Sequence, residues 1–280
     1  MIRRTTCAAV IAGAALAAGW SISAAAQTAA WQVEAGVGGD SLSNGAPGWS
    51  QVDFSLRKRF APGSQFEFSV RRTRRSDQAD DEVGALVSLP LDAHWSGTLA
   101  ATLSPSHHAL ARGTGRVELA RALEGGWVVS AALGRRLYDA QPGVGAGNSH
   151  AAIGVERYLG AWRLAAALGR TRLDGGGETS GSTRLQVDRS FDGERGRVGV
   201  ILARGRELEG IPGTATAPPD VIDQRVHTLA VVGVWPLAPA WSLAWEASHV
   251  RNDDLRRRSG AAAGAPNQRS GVRISVRHDF

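Results

Sequence analysis

The stretch "EGGWVVSAALGRRLYD" (residues 124–139) is followed closely by a second version of itself, "LGAWRLAAALGRTRLD" (residues 159–174). Each copy begins with a glycine-containing turn and a tryptophan, continues with small and apolar residues, and ends with two arginines before an aspartate. Tryptophan side chains prefer either a buried core or the boundary between a membrane and water. The sequence around the repeat decides between these two environments.

Alternation of polar and apolar residues surrounds the repeat on both sides. In "QVDFSLRKRF" (51–60) the apolar Val52, Phe54 and Leu56 alternate with polar side chains, which is the period of a β-strand and not of a helix. No run of twenty apolar residues follows residue 30, so no membrane-spanning helix is expected. The runs have the length that a tilted strand needs to cross a bilayer. Fourteen are predicted, at 30–40, 49–60, 65–75, 82–90, 95–104, 113–123, 126–138, 149–159, 161–173, 182–191, 196–206, 224–235, 241–251 and 269–280.

The connections between these runs alternate in length. The longer set is polar and rich in glycine, with its largest members at 207–223 and 252–268. The tight set lies at 61–64, 90–94, 124–126, 159–161, 192–195 and 236–240. We therefore predict an all-β fold, a transmembrane antiparallel up-and-down β-barrel of about 14 strands with short periplasmic turns and longer extracellular loops. An even strand number returns both termini to the periplasmic side.

Aromatic residues open six of the strands that leave the predicted periplasmic turns. In a soluble β-sandwich such residues would be core residues, but sandwich strands are shorter and their loops need not alternate in length. At one height around a membrane barrel, the same residues form an aromatic girdle. The predicted girdle consists of Trp31, Phe66, Trp95, Trp127, Trp162 and Trp241.

The two ends of the chain point to export and membrane assembly. Residues 1–26 combine two arginines, an apolar alanine-rich run and a small-residue end, as a cleaved signal peptide does. The barrel is expected to occupy residues 27–280, which contain no cysteine because Cys7 lies in the signal segment. The last strand, "GVRISVRHDF", resembles the signal by which outer-membrane assembly machinery recognises its clients. Its predicted elements are Val272, Ile274, Val276 and Phe280.

The faces opposite the apolar positions are strongly charged, and they are predicted to line the barrel interior. Two interpretations stay open: pairs of arginine and carboxylate that brace the wall, or a polar, Arg-rich lumen that passes small polar or anionic solutes. Fourteen strands lie between filled barrels of eight and open porins of sixteen, so strand number does not decide. The predicted lumen-lining residues are Glu34, Asp53, Arg57, Glu67, Arg71, Arg116, Glu118, Arg136, Glu156, Arg163, Arg184, Asp188, Arg197, Glu246, Arg273 and Arg277.

Other functions are less well supported by the residues. The formal net charge of +6 comes from 32 basic residues spread along the chain, with no basic arm that would indicate nucleic-acid binding. No cofactor, metal site or catalytic residue is predicted. The alternative is a lipid-modifying hydrolase at the barrel rim that uses His108 or His150. Expected partners are outer-membrane lipid, lipopolysaccharide, the assembly machinery and small polar or anionic solutes.

Two hairpins resemble those of the YaiO-like family of outer-membrane β-barrels. They are "VELARALEGGWVVSAALGRRLYD" (117–139) and "GVERYLGAWRLAAALGRTRL" (154–173), in which a glutamate precedes a Gly-Trp or Gly-Ala-Trp turn. The chain departs from the family in having only two tyrosines, Tyr138 and Tyr158. The resemblance implies a location in the outer membrane, and it implies no molecular activity or catalytic residue.

Overall fold

The computed structural model describes residues 30–43, 45, 48–75, 78–107, 110–141, 145–174, 179–193, 195–211, 220–257 and 267–280. The predicted signal peptide, residues 1–26, lies outside the described residues. No helix in these ranges is both long enough and apolar enough to cross a membrane.

Fourteen antiparallel strands form one closed barrel. Each strand pairs with its neighbours in sequence, and β1 closes the barrel by pairing with β14. This confirms the predicted fold class and strand number. The strands are β1 (Ala30–Leu42), β2 (Trp49–Ala61), β3 (Ser64–Arg75), β4 (Gln78–Pro90), β5 (Trp95–Leu103), β6 (Gly113–Leu123), β7 (Trp127–Gln141), β8 (Gly145–Leu159), β9 (Trp162–Leu173), β10 (Thr179–Phe191), β11 (Gly196–Ile211), β12 (Asp220–Ala238), β13 (Trp241–Arg257) and β14 (Asn267–Asp279).

The two faces of this sheet differ in the way that alternation predicts. On β1 the side chains of Gln32 and Glu34 are buried, whereas Val37 on the other face is 60% exposed. Strand pairing extends this division, between a polar inner face and an apolar outer face, around the barrel. For example, Leu133 on the outer face of β7 is 68% exposed. A charged inner face and an apolar outer face suit water on the inside and lipid on the outside.

The connections fall at two ends of the barrel, which we call the turn end and the loop end. The turn end has the connections 62–63, 91–94, 124–126, 160–161, 192–195 and 239–240. The loop end has 43–48, 76–77, 104–112, 142–144, 174–178, 212–219 and 258–266. Two loop-end connections, 76–77 and 142–144, are as short as turns. The alternation in length is therefore less regular than the sequence predicts.

The two largest predicted loops are shorter than expected because the strands beside them continue. β11 extends to Ile211 and β12 begins at Asp220, although 207–223 was predicted as a loop. In the same way, β13 extends to Arg257 and β14 begins at Asn267 inside the predicted loop 252–268. Polar residues continue these strands because a hairpin that rises beyond the apolar band meets water on both faces.

Tight turns at the turn end depend on local backbone chemistry. The turn at 124–126 contains Gly125 and Gly126 with φ of 68° and 78°, a region that favours glycine. In the turn at 91–94, Asp92 accepts hydrogen bonds from the backbone N–H groups of His94, at 2.7 Å, and Trp95, at 2.8 Å. These two donors hold the pKa of Asp92 below its usual value. In both cases the next strand begins directly after the turn, and its first residue is a tryptophan.

Candidate functional site

The inner face of the barrel is the candidate site. Strand pairing places all sixteen charged residues named from the sequence on this one face. They do not form one continuous array. Some join compact networks of ion pairs, and others have no carboxylate or guanidinium partner within 4 Å.

The first network joins β14, β1 and β2. Glu34 is 6% exposed and accepts hydrogen bonds from Arg277 at 2.6 Å, Arg273 at 3.1 Å and Ser275 at 2.5 Å. Arg273 also pairs with Asp53, which lies two strands away. This contact passes over Gly36 of β1, where a Cβ atom would lie 3.1 Å from the guanidinium. A glycine at this position therefore lets two non-adjacent strands be joined.

The network continues through β2, β3 and β4. Arg57 donates to Glu67 at 2.8 Å and 2.6 Å, and to the side-chain oxygen of Gln32 at 2.8 Å. Arg71 pairs with Glu82 of β4. We call this part of the inner face, from β14 to β4, the paired side. Its members are Glu34, Asp53, Arg57, Glu67, Arg71, Glu82, Arg273 and Arg277.

A second network lies on β8, β9 and β10. Arg163 donates to Glu156 at 2.8 Å and 2.7 Å and to Asp188 at 2.8 Å. The pair of Arg163 with Glu156 is the one that the tight turn between their strands predicts; Asp188 adds a third strand. Asp188 is 1% exposed, and its carboxylate takes the space that a Cβ atom of Gly199 would occupy.

Hydrogen bonds from neutral side chains complete this second network. Tyr158 donates to Glu156 at 2.8 Å, and Gln186 donates to Asp188 at 2.9 Å. Each buried carboxylate thus has both an arginine and a neutral donor, which offsets the cost of removing it from water. The network therefore links three neighbouring strands through side chains as well as through the backbone.

Three of the inner arginines named from the sequence differ from the others in that set. Within the described ranges, Arg136, Arg184 and Arg197 form no ion pair within 4 Å, and we call them the unpaired arginines. Arg184 donates only to the neutral Gln186, at 2.8 Å. It interacts electrostatically with Arg116 on β6 and with Glu246 on β13. Arg116 itself pairs with Glu118 at 2.5 Å, but both side chains are partly exposed.

Some inner-face features were not predicted from the sequence. Trp49 lies at the loop end between two guanidinium groups, with Arg75 at 3.6 Å and Arg269 at 4.8 Å from its ring centroid. Arg269 lies 3.4 Å from Asp40, which accepts a hydrogen bond from the Trp49 backbone N–H. The alternation along β2 predicts the face on which Trp49 lies. It does not predict the two arginines, because Arg75 belongs to β3 and Arg269 belongs to β14.

The residues of the predicted girdle all lie on the outer face at the turn end. Their exposure ranges from 37% for Phe66 to 47% for Trp241. Most of these tryptophans lie beside a basic side chain of the adjacent strand, as described below. The terminal residues Val272, Ile274 and Val276 also face outward. The backbone N–H of Phe280 donates to the carbonyl of Trp31 at 2.8 Å, which ties the last residue to β1.

The candidate His150 does not face the serine beside it. Ser149 and His150 are adjacent in β8 and therefore face opposite sides of the sheet. The hydroxyl of Ser149 accepts a hydrogen bond from Arg135 at 2.9 Å, and the Nδ1 atom of His150 lies 3.1 Å from the hydroxyl of Thr171. His108 lies outside the described residues. In the described ranges no group of three metal-binding side chains lies together.

No family model matches the sequence, and no curated protein matches it either. Several solved structures are similar in overall shape. An anion-selective porin from Comamonas acidovorans has a TM-score of 0.48 and 13% identity, over 89% of this chain and 98% of that chain. OmpF of Salmonella typhi in complex with daunomycin has a TM-score of 0.46 and 9% identity, over 89% and 97%. OmpT of Vibrio cholerae in a trimer form has a TM-score of 0.47 and 8% identity, over 91% of this chain and 100% of that chain. With TM-scores below 0.5, the barrel is established by the strand pairing of this chain itself.

Proposed function

We propose that this protein is a bacterial outer-membrane β-barrel that forms a passive channel for small anionic or polar solutes, and that it is not an enzyme. The single observation that carries the proposal is the uneven inner face, where Arg136, Arg184 and Arg197 have no carboxylate of a described residue within 4 Å although other inner arginines are paired. Positive charge that is not neutralised by the wall is available to anions that enter the barrel.

The membrane setting of this proposal follows from the outer face. Large apolar side chains cover it, including Leu103, Leu133 and Ile153, each more than 60% exposed. A soluble protein seldom exposes so extensive an apolar surface. A closed barrel satisfies every backbone hydrogen bond internally, as a membrane-spanning chain requires. The apolar outer face suits contact with lipid, and the charged inner face suits contact with water.

The orientation and partners belong to the same proposal. The turn end would face the periplasm and the loop end the outside of the cell, as is usual for outer-membrane barrels. The signal peptide at 1–26 would direct export, and the closing strand with Phe280 would be read by the assembly machinery. Lipopolysaccharide would surround the loop end. Membership of the YaiO-like family is a hypothesis that rests on the two quoted hairpins.

Conductance of the purified mature chain in planar bilayers tests the function. We expect discrete conductance steps and, in a KCl gradient, a reversal potential that shows preference for chloride over potassium. Protein that was heat-unfolded before addition serves as the control and should give no steps. A folded barrel that inserts without conductance would contradict the channel and favour a structural role in the envelope. Phospholipid hydrolysis that is lost in His150→Ala would instead favour the hydrolase.

A further inference from the structure

Basic side chains accompany most of the tryptophan rings in the girdle at the turn end. Four tryptophans each lie close to a basic group of the neighbouring strand. The distances from the basic group to the ring centroid are 4.8 Å for Lys58 and Trp31, 5.4 Å for Arg121 and Trp95, 4.9 Å for Arg157 and Trp127, and 5.4 Å for Arg189 and Trp162. At the fifth tryptophan the ring of His278 lies 4.3 Å from that of Trp241.

These pairs follow from the register of the barrel. In every case the tryptophan opens an outgoing strand, and its basic partner is directly opposite on an incoming strand. Both side chains face outward, so the pairs lie at one level around the barrel. We call this set the cation–tryptophan belt. Cations over indole rings are stabilised by the ring quadrupole, while their N–H groups are left free to meet an anion.

The cations of the belt have no anionic partner in the protein. Among the described residues, Lys58, Arg121, Arg157 and Arg189 form no ion pair within 4 Å. One guanidinium nitrogen of Arg157, Nη1, is buried without a hydrogen-bond acceptor. It lies over the turn, 3.1 Å from where a Cβ atom of Gly125 would be. A guanidinium nitrogen in this position needs an acceptor, and no described residue supplies one.

Carboxylates near the belt are few, and two of them are engaged within their own turns. No aspartate or glutamate of the described strands faces outward at the turn end. Asp92 interacts electrostatically with Arg121, but its carboxylate accepts the backbone donors of its own turn. Asp192 pairs with Arg195 at 2.5 Å. Glu124 is exposed in the turn beside Trp127. The belt therefore presents a ring of positive charge at the level where lipid headgroups begin.

The outer face at the loop end is built differently. Three of its arginines pair with aspartates: Arg135 with Asp174 at 2.5 Å, Arg251 with Asp253 at 2.8 Å and Arg72 with Asp81 at 3.8 Å. Other exposed arginines of this end, Arg74, Arg170, Arg172 and Arg204, form no ion pair among the described residues. Positive charge is thus partly neutralised at the loop end, whereas no cation of the belt is paired with a described carboxylate, and charge complementarity favours a negatively charged lipid at the turn end.

We propose that the cation–tryptophan belt binds the headgroups of negatively charged phospholipids in the leaflet at the turn end. The indole rings would lie at the boundary of the acyl chains, and the basic groups would contact the phosphodiester oxygens. This inference rests on the proposed membrane location, but it does not require that the barrel conducts. It gives the girdle a selectivity for headgroups in addition to its role in fixing depth.

Tryptophan fluorescence tests the proposal, because the girdle tryptophans report the lipids beside them. The mature chain is folded into phosphatidylcholine vesicles that contain a minor fraction of brominated phosphatidylglycerol or, in parallel, the same fraction of brominated phosphatidylcholine. We expect stronger quenching by the brominated phosphatidylglycerol, equivalent to a local enrichment on the order of fivefold. The variant Arg121→Gln/Arg157→Gln/Arg189→Gln should lose this enrichment, and Arg121→Lys/Arg157→Lys/Arg189→Lys should keep most of it.

A matched variant at the loop end, Arg72→Gln/Arg135→Gln/Arg251→Gln, removes the same number of charges from the same face and should keep the enrichment. Equal quenching by both brominated lipids in the parent protein would overturn the proposal, as would an enrichment that the loop-end variant loses and the belt variant retains. Folding of every variant is checked by heat-modifiable mobility in gels. A parent chain that inserts into neither vesicle would instead contradict the membrane location.

Discussion

The paired side of the inner face and the region that holds the unpaired arginines are made of the same residue type in the same barrel. On the paired side, Arg273 and Arg277 converge on Glu34. On β10, by contrast, Arg184 has only the amide of Gln186 as a direct partner. Ion-paired and unpaired arginines therefore occur in the same barrel, and β10 alone carries both Asp188 of the second network and Arg184. Neither of the two interpretations, arginine–carboxylate pairs that brace the wall or an open charged lumen, describes both regions.

The largest effect is expected where one arginine serves two carboxylates. Arg163→Ala leaves Glu156 and the buried Asp188 without a cation, so we expect a loss of about 3–5 kcal/mol in the free energy of unfolding. Urea titration of the barrel in lipid vesicles measures it. Arg116→Ala, whose partner Glu118 is partly exposed, is the matched control and should cost less than about 1 kcal/mol.

Adding Glu156→Ala to Arg163→Ala should recover part of the loss, with a coupling on the order of 0.5–3 kcal/mol. Recovery is expected to be incomplete because Asp188 still lacks its cation. If these residues only brace the wall, the ion selectivity of barrels that fold stays unchanged. Selectivity shifts of opposite sign in the two single variants, at an unchanged unfolding midpoint, would show that this pair lines a conducting path instead.

A smaller effect is expected on the paired side when shape is kept and charge is removed. Glu34→Gln retains one acceptor for Arg277 or Ser275, and Arg273 keeps its contact with Asp53, so the expected loss is about 1–3 kcal/mol. The same urea titration gives the value. Glu246→Gln, on the inner face of β13, changes a glutamate that interacts with Arg184 only electrostatically. It should have little effect, and equal losses in both variants would remove the distinction between the two regions.

The smallest effect on stability is expected at an unpaired arginine. Arg184→Gln breaks no ion pair and should change the free energy of unfolding by no more than about 0.5 kcal/mol. Its reversal potential in a KCl gradient should nevertheless shift toward potassium, because a positive charge without an ion-pair partner is lost from the lumen. Arg57→Gln on the paired side should show the opposite combination, with lower stability and little change in selectivity. A reversal potential that is the same in Arg184→Gln and the parent would contradict the proposed role.

Sequence reasoning was sufficient for the fold because each strand carries its own alternation and its own length. It also assigned the sixteen named charged residues to one face, since parity within a strand is a local property. It was not sufficient for the partners. Arg273 reaches Asp53 across β1 through the stagger between strands that are not consecutive in the chain. That stagger depends on the closure of the whole barrel. The extended hairpins at the loop end were missed because polar residues on both faces conceal the alternation.

Gly199 shows that the second network also depends on a residue that has no side chain. Because the carboxylate of Asp188 fills the space beside its α-carbon, a methyl group at 199 would push that carboxylate away from Arg163. A position that contributes no functional group thus sets the size of the side chain that position 188 can hold. During evolution the two positions are coupled: a lineage that acquires alanine at 199 has to shorten or displace the acid at 188, and Arg163 then keeps Glu156 as its carboxylate partner.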